Sequence, residues 1–159
     1  MREVVAVLDN IRSVHNVGAI LRTADGAGIT TLYLCGVTPS PVNAMGHSLP
    51  QMAKVSLGAE EYLEWHKASS AARVLNKLKS QGYYLVAIEQ GQGSQPISRA
   101  KKVLAKAKKK VALIVGNEVT GISSAVLKRA DAILEIPMRG RKESLNVSVA
   151  FGIAAYVVA

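Results

Sequence analysis

Three short stretches place side chains capable of chemistry among residues that otherwise want burial. Asn16 and Arg22 stand six apart in NVGAILRTADG; Asn117 and Glu118 lie between Gly116 and Gly121 in GNEVTG; Ser144, Asn146 and Ser148 alternate with Leu145, Val147 and Val149 in IPMRGRKESLNVSV. A guanidinium surrounded by Ala19, Ile20, Leu21 and Ala24 should be paired, at a subunit interface or against a phosphate. Asn16 suits a helix N-cap, accepting from an N–H two or three residues on, and that plain role stands beside any functional one. Gly116 and Gly121 would let backbone approach a ligand closely or take positive φ, and a tight turn accounts for the same pair. Three small hydrogen-bonding side chains at one helix start exceed what a single cap uses, so a polar site is predicted there.

Other chemistries lack their residues. No Gly-Lys-Ser or Gly-Lys-Thr occurs, which removes the Walker phosphate loop, and GQGSQP has Pro96 where a dinucleotide fingerprint needs its third glycine. His15, His47 and His66 are scattered and keep no zinc-ligand spacing with Cys35, so no metal site is expected. A serine hydrolase would need a G-x-S-x-G elbow, and none is present.

The elements that must position these residues read as an α/β domain. Short β-branched runs, EVVAVLD, TTLYLCG, YYLVAIEQ, KVALIVGN and AILEIPM, alternate with amphipathic segments, including Asn16 to Ala27, a stretch around Glu60 to His66, SSAARVLNKLKSQ, SSAVLKRA and NVSVAFGIAAYVVA. That alternation predicts a mostly parallel sheet flanked by helices, in one domain over residues 1–159. Gly36, Gly82 and Gly116 fall where helix ends or strand exits want them. The segment Val37 to Trp65 holds three of the five prolines and predicts a long surface excursion. Pro137 ends its strand because it cannot donate to the ladder, and Gly140 permits a bend after it.

Twenty Lys and Arg against 11 Asp and Glu give a net charge of +9, which favours an anionic partner such as nucleic acid. Arg99, Lys101, Lys102, Lys106, Lys108, Lys109 and Lys110 read as one basic helix, which a solvated face explains equally well. With seven aromatics in the chain, stacking platforms for single strands are poorly supplied. Cys35, alone and in an apolar run, fits a small core residue in a reducing compartment. No apolar run approaches the ~20 residues of a membrane span and MREVVAVLDN lacks a leader pattern, so a soluble, cytoplasmic protein with no membrane partner is expected.

Taken together, NVGAILRTA, GNEVTG and IPMRGRKESLNVSVA resemble the three motifs of the SpoU/TrmH family of RNA ribose methyltransferases, in the SPOUT class, in family order and over nearly the whole chain. The resemblance implies a SPOUT-type fold with a C-terminal deep trefoil knot, an exception to the rule that chains do not thread loops. It implies S-adenosylmethionine as cofactor, bound bent, largely through backbone groups. Gly116, Asn117, Ile136 and Leu145 would line its pocket with Met138 close by. The product would be a 2′-O-methylated ribose in tRNA or rRNA, with tRNA favoured. Arg22 would act at the methyl-transfer site with Asn16 beside it, supported by Glu118, Ser144 and Asn146; Glu118 would hold Arg22 or a loop. A homodimer is implied, each half-site completed by its neighbour, with the apolar C-terminal helix at the interface. No counterpart of the family's frequent N-terminal RNA-binding extension is expected, and target choice would then rest on the basic surface, the lysine-rich segment or a helper protein. A non-catalytic RNA binder that kept the fold is the alternative.

Overall fold

Uninterrupted apolar runs such as VVAVL and VALIV suit strands covered on both faces, which is the environment of a parallel sheet. The computed structural model describes residues 2–107 and 109–159. Its elements are, in chain order, β1 (Glu3–Asp9), α1 (Val14–Gly26), β2 (Thr31–Cys35), α2 (Pro50–Ser56), β3 (Glu64–Ala68), α3 (Ala71–Ser80), β4 (Tyr84–Ile88), β5 (Gln95–Pro96), α4 (Ala100–Leu104), β6 (Lys110–Gly116), α5 (Ser124–Leu127), β7 (Ala132–Glu135) and α6 (Val147–Val158). The strands form one seven-stranded sheet in the order β3-β2-β1-β6-β4-β7-β5. Every pairing in it is parallel.

Two cores cover the sheet. On one face α1, α2, α4 and α6 contribute Ile20, Leu21, Met52, Leu104 and Phe151. On the other, α3 and α5 contribute Leu75, Leu78 and Val126. The central strands β1 and β6 pair from Glu3↔Lys110 to Asp9↔Gly116, so their carboxyl ends finish level. From β1 the chain winds outward through β2 and β3, and on the other side it builds β6, β4, β7 and β5, so the strand order reverses between β1 and β6. Open α/β sheets place their sites at such a reversal, outside the carboxyl ends of the strands.

Several local expectations change. The stretch Glu60–His66 is no amphipathic helix: a single 3₁₀ turn at Ala59–Glu61 leads into edge strand β3, paired to β2 from Thr31↔Glu64 onward. The excursion after β2 is not all loop, because α2 packs on α1, and Gly18 lets it in: a Cβ there would lie 3.0 Å from the Met52 carbonyl oxygen. The basic helix ends after five residues at Leu104, since the chain must turn Ala107 into the core and bring Lys110 beside Glu3 to start β6. Lys101, Lys102, Lys106 and Lys109 are exposed, but they do not share one helix face, and Lys108 lies outside the described residues. Cys35 is fully buried, and burial together with the Asp9 charge pushes its thiol up to about 12, as expected of an inert core thiol.

Candidate active site

The first helix begins two residues earlier than its asparagine. Ser13 is the N-cap of α1, its Oγ accepting from the Asn16 N–H at 3.2 Å. Asn16 is therefore not the cap, and its side chain, buried in the first turn, is free for longer-range bonds. Its Nδ2 donates to Glu118 Oε1 at 3.1 Å, and its Oδ1 accepts from Asn146 Nδ2, also at 3.1 Å. Glu118 in turn gathers the β1–α1 loop: Oε1 accepts from the Ser13 N–H at 3.0 Å and Oε2 from the Arg12 N–H at 3.1 Å. Asn146 serves α6 with its other atom, Oδ1 accepting from the Ser148 N–H at 2.9 Å and the Ser148 hydroxyl at 2.6 Å. It is both cap and network member, which accounts for the surplus of polar side chains at that helix start.

The loop after β6 is fastened from below. Asn117 and Gly121 exchange backbone hydrogen bonds, and Gly121 turns the chain with φ of +70°. Asn117 Nδ2 donates to the Asn10 carbonyl at 2.8 Å, while its Oδ1 accepts from the N–H groups of Val119 and Thr120. Asp9, buried at the end of β1, accepts from both the N–H and the hydroxyl of Ser123, and Glu89 accepts from the Ile122 N–H at 2.9 Å. Gly116 does not need positive φ. It needs the absence of a Cβ, which would collide with the Ile122 nitrogen and sit 2.6 Å from the Gly121 carbonyl oxygen. The close approach foreseen for a ligand is made first by the chain's own returning loop.

Burial works to raise the Glu118 carboxyl, but the N–H groups of Ser13, Arg12 and its own residue, together with the Asn16 amide, outweigh it and hold it below the ordinary 4.5. Around these loops lies a cavity of about 440 Å³, within the range of small-molecule sites, at the carboxyl ends of β4, β6 and β7. Gly116, Asn117, Glu118, Ile136, Met138, Ser144 and Leu145 all line it. Asn16 joins it through Glu118, and Asn146 through Asn16. Among the described residues no three His, Cys, Asp or Glu side chains come together to hold a metal ion, and no helix is long and apolar enough to cross a membrane.

The model of the SpoU rRNA Methylase family matches residues 3–156. The chain belongs to that family. Its similarity to the 23S rRNA (guanosine-2′-O-)-methyltransferase RlmB of Vibrio parahaemolyticus is 33% identity over 150 residues, covering 94% of this chain and 56% of that protein. It thus spans little more than half the length of the first curated relatives it matches. Among solved structures, the AdoMet-bound rRNA methyltransferase from Sinorhizobium meliloti superposes with a TM-score of 0.85 at 28% identity, over 99% of this chain and 56% of that one. A structure described as giving insight into the 2-OH methylation of C/U34 on tRNA has a TM-score of 0.78 at 27% identity, over 99% of this chain and 94% of that one.

Against this SpoU-family background, Arg22 is the residue the single chain does not bring to the cavity. Six residues advance a helix by about 240°, so Arg22 and Asn16 sit on faces roughly 120° apart. Arg22 is exposed and lines a second, open hollow with Ala19, Thr23, Gly26, Val55 and Tyr156. Glu118 holds the Arg12–Ser13 loop instead of Arg22. Sequence reasoning missed Asp9 and Glu89. Their only signal was a carboxylate at or just after a strand's end, and nothing in the chain order foretold that both would grip the Ile122–Ser123 turn more than thirty residues away.

Proposed function

We propose that this chain is an S-adenosylmethionine-dependent RNA methyltransferase acting on a ribose 2′-hydroxyl, in tRNA or rRNA and by preference tRNA. The observation that carries the reading is the convergence of three distant segments on one cavity through the Glu118–Asn16–Asn146 chain of hydrogen bonds, in a member of the SpoU family. The cavity fits the cofactor: Ile88, Val115, Ile136 and Leu145 offer an apolar bed for a heterocycle, and residues 116–121 and Ser144 bring polar groups to the same wall. When bound there, S-adenosylmethionine supplies an electrophilic methyl group. Gly116, Asn117, Ile136, Met138 and Leu145 would hold it, and the network through Glu118 keeps the loops around it in place.

RNA as substrate is supported by the net charge of +9 and by exposed Arg139, Arg141 and Lys142, which lie in sequence between the cavity-lining Met138 and Ser144. The preference for tRNA rests on the similarity along nearly the full length of a chain described with tRNA methylation. A homodimer completes the site. Val149, Ile153, Tyr156 and Val157 leave an apolar stripe on α6 that is 39–67% exposed, beside the hollow that holds Arg22. A second copy covering the stripe would carry Arg22 toward its neighbour's cavity. There a guanidinium, which stays protonated and accepts no hydrogen bond, would orient the target phosphate and stabilise the developing alkoxide. The C-terminal knot belongs to the same reading; α6 returning from β7 to pack on β6 and α1 supports it.

The test is methyl transfer from labelled S-adenosylmethionine to unmodified tRNA and rRNA fractions, with nucleoside mass spectrometry. A 2′-O-methyl nucleoside should appear, and Arg22→Ala should lower the rate by roughly 10²–10³-fold. Arg22→Lys keeps the charge without the planar fork of donors and should also turn over slowly; near-normal turnover in it would mean that charge alone, and not a two-pronged contact, is what Arg22 supplies. Cofactor binding with no transfer to any RNA would point to a helper protein; RNA binding without cofactor binding would make this a bare RNA binder.

A further inference from the structure

The cavity's charge runs against that of the chain. Glu89, Glu118 and Glu135 line it and, among the described residues, no Lys, Arg or His does, in a protein of net charge +9. Among the described residues none of the three has a cation within 4.0 Å, the ion pairs lying instead at Glu64, Asp131 and Glu3. Glu118 is committed to the loop and Asn16. Glu89 also holds the Ile122 turn, but it and Glu135 each directly follow one of the paired residues Ile88↔Leu134, so the two acidic residues occupy adjacent register positions at the ends of neighbouring parallel strands. Like charges at such positions repel. Their neutral partners are the N–H groups of Ile122 and Gln90 for Glu89, and the Ser94 hydroxyl at 2.6 Å for Glu135, none of which cancels the charge. A cationic ligand in the cavity would.

We propose that Glu89 and Glu135 are specificity-determining residues that select the sulfonium form of the cofactor over the thioether left after transfer. This rests on the methyltransferase reading above. In the transfer the S–CH₃ bond breaks with its electron pair staying on sulfur, the ribose oxygen gains the methyl and loses its proton to solvent, and the ligand loses one positive charge. Two carboxylates attract the sulfonium and are indifferent to the thioether, so the cavity loads the reactant and lets the product go.

Isothermal titration of the full chain with S-adenosylmethionine and S-adenosylhomocysteine, at low and high salt, tests this without any RNA. The wild type should favour the sulfonium ligand. Glu89→Gln and Glu135→Gln, which keep an acceptor for Ile122 and Ser94, should each lower that preference about threefold, and the pair together about tenfold, with thioether affinity held within about twofold. Added salt should narrow the preference in the wild type more than in the double variant. An unchanged preference in the double variant, or equal loss of both ligands, overturns the proposal and leaves the cofactor reading standing. Failure of the wild type to bind either ligand overturns both. Thermal melts accompany each variant; if Glu89→Gln unfolds, Glu135→Gln alone decides.

Discussion

Asn16 is the residue on which three distant segments meet, and it can do so because Ser13 takes over the capping. Its amide has a donor for Glu118 and an acceptor for Asn146, so truncation leaves two polar partners to find water. Asn16→Ala should cost about 1–2 kcal/mol in urea denaturation and should weaken cofactor binding as the loops loosen. Asn16→Asp is isosteric yet sets a second carboxylate against Glu118, and it should be worse than alanine above neutral pH; equal stability of the two variants would argue against the hydrogen bond. Glu118 carries a pH signature of its own. Its folded carboxyl is held below 4.5, so the unfolded state takes up the proton first. The stability it contributes is present above that pH and is lost as pH falls through the lower folded value. Glu118→Gln should therefore flatten the acid limb of a stability-versus-pH curve below about pH 4.5 while lowering stability at neutral pH.

At the scale of elements, the loop after β6 shows a glycine retained for its missing Cβ. Gly116→Ala would push a methyl into the backbone of Gly121 and Ile122, which cannot move without breaking the bonds to Asn117 and Glu89. A loss of about 1–3 kcal/mol is expected, with a cofactor affinity that falls more than the stability does, read by thermal shift with and without ligand. Asn146→Ala removes the N-cap of α6 and should cost about 1 kcal/mol. The short α4 makes the opposite point. Lysine and alanine favour helix beyond Leu104, but the need to deliver Lys110 to the sheet beside Glu3 ends it there, tertiary geometry overriding a propensity of a few tenths of a kcal/mol per residue.

For the whole molecule, the exposed stripe on α6 and the outlying Arg22 make one prediction. On the proposed dimer, Val149→Glu with Ile153→Glu should shift the mass in solution from dimer to monomer, measured by light scattering after size exclusion, and abolish the proposed methyl transfer while each chain still binds cofactor. Retention of a dimer in that variant would place the interface elsewhere. Five of the seven strands, the parallel sheet and the three polar segments could be read from the chain alone, because strand periodicity, glycine and proline placement and motif order are local and are printed in consecutive residues; β3 and the two-residue β5 carry no such pattern. Even Cys35 declared its burial through its apolar neighbours. What only the tertiary structure decided is who meets whom: that Ser13 rather than Asn16 caps α1, that Asp9 and Glu89 clamp the Ile122–Ser123 turn, that Arg22 points away from the cavity its motif shares, and that Glu60–His66 lends a strand to the sheet edge. Each of these depends on contacts between residues tens of positions apart, where the energy lies in closing a specific geometry and no residue type on its own specifies its partner.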